Sequence, residues 1–242
     1  MGLSRFFRTI MTCGIIPRSK GISKSPMAEP KGYMVAPITN DDIENVLAFL
    51  RKFFFRDEPL NLCIGLLDEQ PTCMELEKFC VEPIPDGFSL KAVSPSGDII
   101  GVCLNGVVNR SDEEEDMECD NAKFRKIQDL LDKVYTESDI FGRFPDVDKF
   151  LDIRVASVDK AYRGRGIAKA LFDETRRIAG ENGFQMVKAD ATSHFTALAV
   201  IKLGFQCIYC LNYGDYKDED GKVIFSPEAP HTCVKTFVYR IN

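Results

Sequence analysis

The chain has 242 residues, 45% hydrophobic and 28% charged, ordinary proportions for one globular domain with an extension. A formal net charge of −6 and a pI near 5.1 argue against broad nucleic-acid binding and suit a small cationic substrate. No apolar run approaches the roughly 18 residues of a bilayer span, and nine irregularly spaced cysteines without a secretory signal indicate reduced thiols in a cytoplasmic protein.

Residues 1–30 carry Arg5, Arg8, Arg18, Lys20 and Lys24, with no acid before Glu29. They read as a disordered extension, and the same composition fits an organellar transit peptide. The folded domain is expected over residues 31–242. Tyr33 to Ile38 predicts a strand. Thr39 and Asp42 form a capping box, followed by helical spacing at Ile43, Val46, Leu47, Leu50 and Phe54. That helix runs into Phe53-Phe54-Phe55-Arg56-Asp57-Glu58-Pro59, and Pro59 disfavours helical backbone at Glu58. Asp57 and Glu58 are then either a solvated acidic pair at a helix end or carboxylates beside aromatic walls. In the second case desolvation raises a pKa toward that of a general base.

Thr72 to Glu75 resembles a second capping box, opening a helix through Phe79 and Cys80. Phe88 to Val93, the Ser94-Pro95-Ser96-Gly97 turn and Asp98 to Val108 predict a hairpin. Ser111 to Asp120 is an acidic loop, and Ala122 to Ser138 an amphipathic helix. Leu151 to Val158 predicts a buried strand, followed by a turn with Gly164 and Gly166 between Arg163 and Arg165, and then a helix with Ile167, Leu171, Ile178 and Ala179 on one face. Strand, glycine turn and helix make an anion site, because the first N–H groups of a helix lack intrahelical acceptors and the dipole adds positive charge. The two arginines are expected on further phosphates. The Lys-Ser/Thr pair of a Walker loop is absent, and Ala168 stands where a dinucleotide fingerprint has its third glycine.

Phe184 to Asp190 predicts a strand, Thr192 to Leu203 a helix closed by Gly204, and Phe205 to Asn212 and Cys233 to Ile241 two further strands, giving an α/β domain with a mixed sheet. A spacing of four places Thr192 and Thr196 on one helical face. His194, beside Thr192 and Ser193, is expected in capping or substrate contact. Cys207, Cys210, His231 and Cys233 have ligand chemistry, but strand alternation splits the first two thiols between faces and favours core packing without metal.

Arg163-Gly164-Arg165-Gly166-Ile167-Ala168 resembles the R/Q-x-x-G-x-G/A signature of the GCN5-related N-acetyltransferases. FFFRDEPLN at 53–61, SVDKAYRGRGIAKAL at 157–171, TSHFTALAVIKLGF at 192–205 and DYKDEDGKVIFSPEAPH at 215–231 together are similar to the insect arylalkylamine N-acetyltransferases, from Tyr33 to the C-terminus. The resemblance implies a mixed central sheet flanked by helices, with acetyl-CoA between two splayed parallel strands and no metal. It implies cofactor contacts from Ala156, Ser157, Val158, Arg163, Gly164, Arg165, Gly166, Ile167 and Ala168. It assigns the base to Glu58 and two helix-borne hydroxyls to Thr192 and Thr196, where the family has serines. Phe54, Phe55, Asp57, Pro59 and His194 are then expected around the amine. The expected substrates are dopamine, tyramine, octopamine, serotonin and tryptamine, acetylated by a monomer; the alternatives are an enzyme of the same fold acting on polyamines or peptide amines, and a non-catalytic acyl-CoA sensor.

Overall fold

The computed structural model describes residues 32–112 and 119–241, so the expected extension at 1–30 and the centre of the acidic loop lie outside the described residues. Strand β1 (Met34–Pro37) leads through a short 3-10 turn into helix α1 (Ile43–Phe53). The expected capping box forms there: the Thr39 N–H donates to Asp42 Oδ2 at 2.9 Å. Helices α2 (Pro59–Cys63) and α3 (Met74–Val81) follow, then the hairpin β2 (Leu90–Val93) and β3 (Ile99–Asn109). No second box forms, because Cys73 rather than Thr72 is the extended residue before α3 and offers no side-chain cap.

Helix α4 (Ala122–Ser138) starts where Asn121 Oδ1 accepts the N–H groups of Lys123 and Phe124. After it come α5 (Ile140–Arg143), β4 (Lys149–Val158), α6 (Ile167–Glu181), β5 (Met186–Ala191), α7 (His194–Lys202), β6 (Gln206–Asn212) and β7 (Cys233–Arg240). Among the described residues the strands form one sheet in the order β1-β2-β3-β4-β5-β7-β6, antiparallel except for the β4–β5 pair.

Two apolar layers cover the sheet. On one face Val46, Leu50, Phe55, Leu76 and Leu130 pack with Val102, Leu104 and Val155; on the other Ile167, Leu171, Phe172, Ala197 and Val200 pack with Ile100, Leu151, Ile153 and Val187. Ile153 and Val155 would share a face in a regular strand. They do not, because Leu104 opposes Val155 while Asn105 opposes Ile153, leaving Arg154 as an extra, bulged residue.

A second irregularity corrects the reading of the C-terminal thiols. Cys207 pairs with Phe237 and Cys210 with Lys235, with a register shift between Cys207 and Tyr209. The extra residue returns both thiols to the same face, and both are exposed rather than in the core. Among the described residues no three His, Cys, Asp or Glu side chains converge in a metal-holding group. No described helix is long and apolar enough to cross a membrane.

Candidate active site

The parallel pair is short. Phe150 to Ile153 of β4 pair with Met186 to Ala189 of β5, after which the strands part while β4 continues to Val158. The Arg154 bulge lies at the point of parting. Beyond it β4 still pairs with β3, and the Asp159 N–H bond to the Ile100 carbonyl (3.0 Å) puts Ser157 in the hydrogen-bonded pair with Val102. By the alternation of an antiparallel ladder, the backbone groups of Ala156 and Val158 then point away from β3, into the gap.

The gap ends at the glycine turn. Asp159 Oδ1 accepts the Ala161 N–H at 2.9 Å, and Gly164 and Gly166 both adopt φ +79°, which a Cβ would strain. A Cβ at Gly164 would touch nothing within 4 Å, so the ground in front of the turn is open. The first bond of α6 runs from the Ala170 N–H to Gly166, leaving the N–H groups of Ile167, Ala168 and Lys169 without intrahelical acceptors. Free donors, an open approach and the helix dipole suit a pyrophosphate. The exposed backbone of Ala156 and the N–H of Val158 suit an amide-bearing arm; the Val158 carbonyl already accepts from Arg163 Nε.

The arginine heads lie elsewhere than expected. Arg163 donates from Nε to the Val158 carbonyl (3.1 Å) and from Nη2 to Asp57 Oδ2 (3.0 Å). Arg165 donates to the Ala161 carbonyl, with its guanidinium 4.9 Å above the Tyr162 ring. Lys160 Nζ is 2.8 Å from the other Asp57 oxygen. Asp57, expected to draw an ammonium, is thus matched by two cations of the phosphate turn.

Glu58, its neighbour in sequence, has the opposite environment. The chain leaves α1 in a tight turn, with the Glu58 N–H on the Phe54 carbonyl at 3.0 Å. Ahead of Pro59, Glu58 is extended (φ −72°, ψ 122°) and caps α2, its Oε2 accepting the Asn61 N–H at 2.7 Å. The residue is 8% exposed, and its Oε1 is buried without a hydrogen-bond partner among the described residues. Burial pushes the carboxyl up to about 7, opposed by the Asn61 N–H, the nearby Thr192 hydroxyl and the Leu60 N–H. Thr192 eases the charge without reaching hydrogen-bond geometry to Oε1. Phe55, expected around the amine, is 1% exposed in the core and backs the turn from within; Phe54 is half-buried and Pro59 buried.

The threonines are not on one helical face. Ser193, in extended backbone, is the cap of α7: its Oγ accepts the Thr196 N–H at 3.0 Å, and the two hydroxyls are 2.9 Å apart. Thr192 precedes the cap, near Glu58. Of two adjacent hydroxyl residues, the second won the cap. The exposed His194 donates its N–H to His231 Nδ1 (3.2 Å), and both imidazoles meet the edge of Phe195, itself 64% exposed. Burial and the neighbouring His194 lower the His231 pKa.

Sequence reasoning missed Tyr213. It is 2% exposed, and its hydroxyl donates to the Thr192 carbonyl at 2.7 Å. Burial and the charge of Glu58 raise its pKa. Its place at the end of a predicted strand gave no sign of this role, because its partner lies 21 positions earlier.

A model of the Acetyltransferase (GNAT) family matches residues 140–205, which hold the parallel pair, the glycine turn and α7. Arylalkylamine N-acetyltransferase 2 from Aedes aegypti is 36% identical, covering 87% of this chain and 99% of its own, with a TM-score of 0.82. An agmatine N-acetyltransferase is 26% identical, covering 86% and 99%, with a TM-score of 0.74. A polyamine N-acetyltransferase from Drosophila melanogaster, which forms N-acetylagmatine, is 25% identical with the same coverage and TM-score. Splayed strands, glycine turn and similarity over almost the whole mosquito protein agree: the chain belongs to the GNAT acetyltransferases, N-acetyltransferases that take their acetyl group from acetyl-CoA.

Proposed function

We propose that the protein acetylates the primary amine of arylalkylamines such as dopamine, tyramine, octopamine, serotonin and tryptamine. The observation that carries the reading is the contrast between adjacent carboxylates: Asp57 is neutralised by Lys160 and Arg163, while Glu58 is buried with a free oxygen and a pKa of about 7. One carboxylate is therefore left for one ammonium.

Acetyl-CoA supplies an activated thioester. The N–H groups of Ile167 and Ala168 would hold its pyrophosphate, and the backbone of Ala156 with the N–H of Val158 its pantetheine. Glu58 accepts a proton from the incoming ammonium at Oε1, the oxygen without a partner. The resulting free amine attacks the thioester carbonyl, the carbon–sulfur bond breaks, and the second proton shed by the nitrogen as it becomes an amide passes to the sulfur, so that CoA leaves as the thiol. A base of pKa near 7 works at neutral pH, where it is half ionised yet still a competent proton acceptor. Phe195, flanked by His194 and His231, gives the ring of an arylalkylamine an exposed aromatic surface beside Thr196. The free thiols among the described residues fit the cytoplasmic setting expected from the sequence.

The agmatine and polyamine acetyltransferases among the neighbours favour a second reading, in which the substrate carries another cation at its far end. Such an amine needs a second unneutralised carboxylate, and Asp57 is not one. Steady-state CoA release with dopamine, tryptamine, agmatine and spermidine in parallel separates the readings. Higher kcat/KM for the two aromatic amines supports the first; higher values for agmatine or spermidine replace it with the second.

A further inference from the structure

The parallel strands are tied together by charge just before they part. Lys188 of β5 is 3% exposed, and its Nζ lies 3.2 Å from Asp152 Oδ1 on β4 and 2.5 Å from Asp190 Oδ2 on β5. The other oxygen of Asp190 accepts the Thr236 hydroxyl of β7 at 2.7 Å. One ammonium thus links three neighbouring strands. Asp152 and Lys188 are register partners; only one further pair, Ile153 with Ala189, forms before β4 bulges at Arg154 and leaves β5.

Stability alone does not account for this cluster. Well-packed apolar side chains of similar volume often hold such a site as well or better, because burying charge is costly. Burial disfavours the Lys188 ammonium, yet the two carboxylates outweigh it and raise its pKa, so it stays charged. Apolar contacts allow strands to slide or zip further. A lysine held between two carboxylates fixes both the separation and the register of the strands. Strand alternation puts Asp152, Lys188 and Asp190 on the face opposite Leu151, Ile153, Val187 and Ala189, which pack toward α6. Thr192, two residues beyond Asp190, comes close to Glu58 on that opposite side.

We infer that Lys188 is a positioning residue: by bridging Asp152 and Asp190 it sets where β4 and β5 part, and so where the thioester end of acetyl-CoA comes to rest. The backbone groups of Ala156 and the N–H of Val158 face the gap only because β5 has turned away by then. The inference rests on acetyl-CoA in the gap and not on which amine is acetylated.

The test uses the full chain with Asp152→Asn, which keeps shape and removes the anchor on β4. Acetyl-CoA affinity is measured by calorimetry without amine, together with the KM of the amine, the thermal midpoint and hydrogen exchange in β4 and β5. The expected result is acetyl-CoA binding weakened about tenfold and faster exchange at Ile153 and Ala189, with the amine KM within about twofold. Unchanged acetyl-CoA affinity in the folded variant overturns the inference, as does a lowered midpoint with both constants unmoved. If Asp152→Asn does not fold, the apolar triple variant Lys188→Met, Asp152→Leu, Asp190→Leu decides. Wild-type acetyl-CoA affinity there overturns the inference, and weakened affinity in a stable protein supports it. A failure of the arylalkylamine reading would show in the amine panel and leave the calorimetry untouched.

Discussion

The Tyr213 hydroxyl holds the Thr192 carbonyl at 2.7 Å, which ties the segment after β6 to the residue beside Glu58. Removing that hydroxyl leaves the carbonyl unpaired in a largely enclosed place. Tyr213→Phe should cost about 1–3 kcal/mol of stability by denaturant unfolding. It should lower kcat while leaving the KM for acetyl-CoA unchanged, since neither residue touches the glycine turn. An acetyl-CoA KM that moves as much as kcat would show that Tyr213 acts through the whole fold.

The raised pKa of Glu58 has a consequence for stability. The unfolded carboxyl titrates near 4.5 and the folded one near 7. Between those values the folded state binds the extra proton, so this group's contribution to stability is fully present below about 4.5 and lost as pH rises through about 7. The loss is on the order of 3 kcal/mol, since a tenfold difference in proton affinity is worth about 1.4 kcal/mol. Glu58→Gln should therefore unfold at a higher temperature than wild type in alkaline buffer and lose that advantage in acid. A difference that does not change with pH would contradict the burial argument.

Asp57 joins the base-bearing turn to the phosphate turn through Lys160 and Arg163. All three side chains reach solvent, so the ion pairs should contribute less than about 1 kcal/mol to folding. Their effect belongs to alignment. Asp57→Asn should raise the KM for acetyl-CoA several-fold, to about the extent that loosened positioning allows, with a melting temperature near wild type. An unchanged KM for acetyl-CoA would leave Asp57 with no part in aligning the cofactor.

Ser193 caps α7 and also meets the Thr196 hydroxyl. Ser193→Ala should destabilise the protein by about 1 kcal/mol. Thr196→Ala leaves the cap in place, so any fall in its turnover reports on the hydroxyl itself. Equal losses of stability in the two variants would mean that the Thr196 hydroxyl matters mainly to the helix start.

The elements were legible where periodicity was long and its ends were marked. The apolar stripe from Phe124 to Val134 marks α4, and the expected range Ala122 to Ser138 is the one observed; Leu151 to Ala168 reads as strand, turn and helix because the glycines break two different periods. What local pattern does not encode was missed. Asp57 and Arg163 are 106 positions apart, so no window shows that they meet. Cys207 and Cys210 changed faces because a bulge adds one residue to a period of two. Thr192 and Ser193 offer the same hydroxyl at a helix start, and only the backbone shows which one caps. Lys188 sits in an apolar run with one acid on its own strand and its other partner on β4, so its bridge became visible only with the register.

The most direct test follows kcat/KM for an aromatic amine across neutral pH, in wild type and Glu58→Gln. The wild-type rate is expected to fall on the acid side of a pKa of about 7. The variant should lose about 10²- to 10⁴-fold in kcat, the usual contribution of a positioned base, together with that acid limb. A variant that keeps wild-type turnover with the same limb would show that another group takes the proton, and Glu58 would then be no more than the cap of α2.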